Sequence, residues 1–68
     1  MKEIEIATPF IRLDALLKLA GITLSGGEAK KAVQSGLVMV NDQVCIERGR
    51  KIYPGGVVSY MGQVIKVK

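Results

Sequence analysis

Apolar residues return at helical spacing from Leu13: Leu13, Leu16, Leu17 and Ala20 stand at i, i+3, i+4 and i+7. This spacing predicts an amphipathic helix with one buried stripe. Asp14 in its first turn and Lys18 near its last agree with the helix dipole. Gly21 supplies the stop. A second helix is predicted from Ser25. Ser25 and Glu28 have the spacing of a capping box, and Ala29, Ala32 and Val33 form a small apolar face. Lys30, Lys31 and Gln34 then point away from that face, and Gly36 stands where a left-handed terminating residue belongs.

Elsewhere the pattern alternates. Lys2 to Ile6 reads as a short edge strand with Ile4 and Ile6 on one side, broken by Thr8-Pro9. After Gly36, Val38 and Val40 share a strand face, Asn41-Asp42 forms a turn, and Gln43 to Ile46 returns as the partner strand. Glu47 to Lys51 is a charged loop, and Pro54-Gly55-Gly56 marks another turn. Val57 to Tyr60 and Gln63 to Val67 close a last hairpin around Met61-Gly62. The predicted order is β-α-α-β-β-β-β. The fold class is α+β, with two short helices packed on one face of a small, mostly antiparallel sheet.

Size limits what such a fold can do. Sixty-eight residues make a single domain spanning 1–68. A domain of this size buries only about 60% of its unfolded-chain surface, so no large substrate cavity is expected. An apolar fraction of 49% is ample for a folded core. Cys45, the one cysteine, lies between Val44 and Ile46 and reads as an inert core thiol. No secretory signal and no membrane-spanning run is visible, which leads to the expectation of a cytoplasmic protein without a membrane partner.

Catalytic chemistry is poorly supplied. There is no histidine, which removes the commonest general base and metal ligand. One cysteine cannot build a zinc site. The carboxylates are scattered, and Glu28 has a capping role. Gly26-Gly27 lacks the length and the Gly-Lys-Ser/Thr ending of a P-loop, although backbone N–H groups at that helix start can meet one phosphate of a polymer. The expectation is a non-enzymatic protein with no catalytic residue, metal, cofactor or small-molecule substrate.

Charge points to a polyanion. The net charge is +4, but residues 1–28 carry −1 and residues 29–68 carry +5. Basic residues group at Arg12, at Lys30 and Lys31, and at Arg48, Arg50 and Lys51. Arginines two apart in a glycine-spaced loop can follow an irregular phosphate backbone with two-pronged hydrogen bonds. Arg12 has an alternative use, pairing with a nearby carboxylate to fix the helix start. With only Phe10, Tyr53 and Tyr60 as aromatics, base stacking is not expected to dominate binding. A protein-interaction adaptor, whose basic surface meets an acidic partner, is the main rival to nucleic-acid binding. Duplex DNA ranks lower, because no helix offers a row of Arg, Asn and Gln for the major groove.

The ordered motifs resemble the S4 RNA-binding domain family. They are Arg12-Leu13-Asp14 leading a leucine-rich helix to Gly21, Ser25 and Ala29 on the second helix, and Gly36-Leu37-Val38-Met39-Val40-Asn41-Asp42. Ser-Gly-Gly-Glu-Ala-Lys, together with Arg48-Gly49-Arg50-Lys51-Ile52-Tyr53-Pro54-Gly55, is similar to short stand-alone bacterial S4-like proteins of the YaaA/YbcJ type. The likeness covers roughly residues 10–60. Asp42 stands where that family usually has a turn glycine, and Gly56 where it usually has an aspartate.

The resemblance implies an S4-like fold whose helical pair, the αL motif, forms the surface facing structured RNA such as rRNA or tRNA. It implies a role in ribosome assembly or translation, with the ribosome as a partner. Carried over, the surface falls on Arg12, Ser25, Gly26, Gly27, Lys30, Lys31, Gln34 and Asn41. Charge adds Arg48, Arg50 and Lys51.

Overall fold

The computed structural model describes residues 1–68. Its elements in chain order are β1 (Lys2–Ile4), β2 (Ile11–Arg12), α1 (Leu13–Leu19), α2 (Gly26–Gln34), β3 (Val38–Val40), β4 (Gln43–Val44), β5 (Lys51–Ile52), β6 (Val57–Tyr60) and β7 (Gln63–Val67). Five strands form the main sheet in the order β1-β7-β6-β3-β4, and β2 and β5 form a separate two-stranded ribbon. Only the β1–β7 pairing is parallel; β3–β4, β3–β6, β6–β7 and β2–β5 are antiparallel. No helix is long and apolar enough to cross a membrane.

Helical spacing and burial agree residue by residue. Leu13, Leu16, Leu17 and Ala20 of the first stripe are buried, as are Ala29, Ala32 and Val33 of the second. They meet Val38, Val40, Val58, Ile65 and Val67 from the main sheet, with Ile52 from the ribbon, in one apolar cluster. Cys45 is buried in that cluster as a free thiol. Burying each leucine, isoleucine or valine of the cluster contributes about 1.5–3 kcal/mol.

The two predicted hairpin turns are built as their residues allow. Asn41 and Asp42 have φ of +49° and +68°, so the β3–β4 turn is left-handed at both central positions. Met61 and Gly62, at +48° and +79°, do the same between β6 and β7. Gly21 and Gly36, at +76° and +82°, end the two helices as their positions predict.

Some expectations need correcting. The pattern predicts a strand over Gln43 to Ile46, but pairing stops at Val44; Cys45 still donates its N–H to the Val38 carbonyl at 3.0 Å. Lys51 lies on a strand rather than in a loop, opposite Arg12. Two-residue strands leave no periodic trace, so the β2–β5 ribbon was invisible in the pattern. The capping box is half made. Ser25 Oγ accepts from the Glu28 N–H at 3.2 Å, whereas the Glu28 carboxylate returns no bond to Ser25 and stays in solvent.

Lysine side chains tie the edge strand down. Lys2 Nζ donates to the Ala20 carbonyl at 2.6 Å, fixing β1 to the C-terminal end of α1 where a cation is favoured. Lys68 pairs with Glu3 across the edge at 3.2 Å.

Candidate nucleic-acid interface

The ribbon is what assembles the basic surface. The first N–H groups of a helix have no intrahelical acceptor. In α1 the charged loop supplies acceptors: Leu13 N–H donates to the Arg50 carbonyl at 2.8 Å, and Asp14 N–H to the Arg48 carbonyl at 3.0 Å. The loop is thereby hydrogen-bonded to the start of α1, and its cations are held beside Arg12. A Cβ on Gly49 would lie 3.6 Å from Arg12 Nη2, so the guanidinium packs directly over that glycine.

Arg12 makes the carboxylate pairing considered for it and still faces solvent. Its Nη2 pairs with Asp14 Oδ2 at 3.1 Å, yet its side chain remains 54% exposed. Asp14 is itself committed elsewhere, because its other oxygen accepts the Ala15 N–H at 2.8 Å. The ion pair therefore orients Arg12 more than it neutralises the surface, and an exposed pair of this kind stabilises the fold by less than about 1 kcal/mol.

Next to this pair is a shallow depression bordered by Arg12, Asp14, Ala15, Lys18 and Gly26. It brings the start of α1 against the start of α2. Lys30 follows Gly26 by one helical turn on the same flank, and Gln34 follows Lys30 by another. Ser25 caps α2 at this end, Gly26 has open space beside it, and a Cβ on Gly27 would lie 3.9 Å from Ser25 Oγ. Lys18 is an addition that sequence reasoning missed. Its fit to the helix dipole accounts for it, and its place one turn after Asp14 puts it on the face where Arg12 pairs.

Lys31 separates from Lys30. With Glu28 it borders a different groove, whose far wall is Tyr60, Met61 and Gln63. Adjacent residues on a helix point about 100° apart. The two lysines that look like one cluster in the sequence therefore point in different directions, and Lys31 borders the groove that Glu28 also lines.

Asn41 joins the loop cations across the ribbon. It borders a hollow with Arg50, Lys51 and Tyr53. Its Oδ1 accepts the Val57 N–H at 2.9 Å, while its own N–H donates to the Val57 carbonyl at 2.8 Å. The carboxamide oxygen is thus engaged in holding the turn to β6. The chain's ion pairs are Arg12–Asp14 and Lys68–Glu3 alone, so Lys18, Lys30, Arg48, Arg50 and Lys51 have no carboxylate partner.

The family model of the S4 domain matches residues 4–68. The chain belongs to the S4 domain family. The match extends beyond the motif region to the edge strand and the last hairpin.

Among S4 relatives, the chain is 46% identical over 59 residues to the probable ribosome maturation protein RlbA of Bacillus subtilis (strain 168). That alignment takes in 87% of this chain and 83% of the relative. It is 39% identical over 59 residues to the putative RNA-binding protein YbcJ of Escherichia coli (strain K12), covering 87% of this chain and 84% of YbcJ. The solution structure of YbcJ from E. coli, described as revealing an αL motif involved in RNA binding, superposes with a TM-score of 0.76 at 35% identity. It covers 98% of this chain and 86% of that one. The S4 helical pair, α1 and α2 with the turn between them, is the part of the chain that carries the depression between Arg12, Lys18 and Gly26.

Proposed function

We propose that this chain binds structured RNA through the surface formed by the starts of α1 and α2 and the Arg48–Lys51 segment, and that it acts without catalysis in ribosome maturation. The observation that carries the reading is the gathering of unpaired cations from separate parts of the chain. Arg12 and Lys18 border one depression with Gly26, Lys30 follows Gly26 by one helical turn, and the backbone of Arg48 and Arg50 is bonded to the start of α1, with Asp14, Glu28 and Glu47 as the carboxylates of these segments. The names of the relatives, a probable ribosome maturation protein and a putative RNA-binding protein, agree with that surface.

RNA suits it better than DNA. A-form duplexes hide base edges in a deep, narrow groove, so proteins read them by backbone position and 2′-hydroxyls. A compact cluster of lysines and arginines can meet phosphates at several angles. No helix carries the row of base-reading side chains that a major groove requires.

A salt titration of binding to transfer RNA and to ribosomal RNA fragments tests this. With about five phosphate contacts, log affinity falls against log salt with a slope of roughly −3.5 to −4.5. A slope near zero contradicts the reading. For the cellular role, deletion should lead to accumulation of immature ribosomal particles on sucrose gradients, restored by the intact chain and not by a Lys30→Ala, Arg50→Ala variant.

A further inference from the structure

We propose that the hollow between the β3–β4 turn and the ribbon is a site for one unpaired nucleotide, with its phosphate held by Arg50 and Lys51 and its base laid against Tyr53. The inference rests on the RNA-binding reading and deepens it, because the helix-start surface meets only backbone whereas this hollow can take a base.

Four observations point there. The hollow has a volume of about 370 Å³, within the range of small-molecule sites. Its polar wall is Asn41, Arg50 and Lys51, and no carboxylate borders it. Neither Arg50 nor Lys51 is paired with an acid, so an incoming phosphate displaces no existing ion pair. Lys51 Nζ is also held in place, 4.9 Å from the centre of the Phe10 ring.

The fourth observation is Tyr53. Its ring packs against Phe10 with centroids 5.9 Å apart and planes tilted by 53°, yet the residue is 55% exposed. An aromatic ring braced on one side and open on the other is a stacking surface, and stacking accepts any base. A phosphate alone gives no reason for it. Bases inside an RNA duplex have no free face, so the occupant is a bulged, looped or terminal nucleotide. Asn41 adds a donor, since its oxygen is taken by the Val57 N–H while its Nδ2 makes no bond within the chain.

The floor is rigid. Gly56 N–H donates to the Tyr53 carbonyl at 2.9 Å, and a Cβ at Gly56 would come within 2.9 Å of Ile52 Cγ2. Gly55, at φ of +94°, leaves open space where a side chain would otherwise stand.

Adenosine 5′-monophosphate and inorganic phosphate, titrated separately into isotope-labelled protein and followed by amide and tyrosine ring shifts, test the site. The nucleotide should move Asn41, Lys51, Tyr53, Gly55 and Gly56 and shift the Tyr53 ring protons upfield. Phosphate should move only the region of Arg50 and Lys51, and more weakly. Tyr53→Leu should weaken nucleotide binding roughly 5- to 100-fold, the range expected for loss of one stacked base. Tyr53→Phe should keep it within about twofold, since the stacking face survives. The amide spectrum of each variant reports that it is folded.

An RNA hairpin with one bulged adenosine should displace the nucleotide at lower concentration than the same hairpin fully paired. Identical shift maps for nucleotide and phosphate, unchanged affinity in Tyr53→Leu, or equal displacement by the two hairpins would each overturn the site. Steep salt-dependent binding of transfer RNA alongside such a result would leave the broader reading standing. Nucleotide binding without any RNA binding would sink the broader reading instead.

Discussion

Replacing Asn41 separates a structural role from a binding role at one position. Its φ of +49° is a conformation that costs most side chains about 1 kcal/mol or more. Its Oδ1 makes one hydrogen bond, to the Val57 N–H at 2.9 Å, contributing about 1 kcal/mol. Asn41→Ala loses both advantages and should destabilise the fold by about 2 kcal/mol. Asn41→Gly loses only the bond, about 1 kcal/mol, because glycine accepts a positive φ. Asn41→Asp keeps an acceptor oxygen and tolerates the turn, so stability should stay within about 0.5 kcal/mol.

For 68 residues, unfolding entropy converts each kcal/mol to about 7 °C of melting temperature. Thermal unfolding followed by circular dichroism should therefore show drops of about 14 °C for alanine and 7 °C for glycine, and little change for aspartate. RNA binding should give a different order. The aspartate places a negative charge beside Arg50 and Lys51, repelling phosphate by on the order of 1 kcal/mol, about fivefold in affinity. Equal melting temperatures for alanine and glycine would refute the backbone argument. A melting loss for aspartate as large as that for alanine would refute the role given to Oδ1.

Lys30→Ala should weaken RNA binding by a similar factor across sequences and lower the salt slope by about one unit, whereas Lys31→Ala, on the flank with Glu28, should leave the slope nearly unchanged in the same titration. Ser25→Ala removes the cap on the Glu28 N–H and should cost about 1 kcal/mol in urea unfolding. Gly56→Ala should cost about 1–3 kcal/mol in the same assay, because its Cβ meets Ile52 Cγ2 at 2.9 Å and the Tyr53 carbonyl oxygen at 3.0 Å, the latter a backbone atom that cannot swing aside.

Much of the candidate surface could be named in advance, but its grouping could not. Arg12, Ser25, Gly26 and Lys30 were readable because helix starts and caps are local features. Arg50 and Lys51 were readable as exposed charge. The bonds from Leu13 and Asp14 to the loop carbonyls join residues more than thirty positions apart, and no local pattern encodes them. Lys18 shares the depression with Asp14 and Ala15 of its own helix, so helical spacing reaches it; only the approach of Gly26 from α2 is long-range. Tyr53 was set aside by an argument from composition. Three aromatics are too few to form a platform along the chain, but the proposed site needs only one braced ring beside two free cations.

Local pattern along the chain suffices for the two helices, their stops, the left-handed turns and the buried faces. These depend on side-chain periodicity, caps and backbone freedom within a few residues. Tertiary structure alone decided that Lys30 and Lys31 part company, that a two-stranded ribbon ties the charged loop to α1, and that Asn41 meets Tyr53 across a hollow. The physical reason is that burial and turn chemistry act locally. The position of a surface charge relative to another is set by how the apolar faces pack, and solvated side chains leave no mark of that packing in their order along the chain.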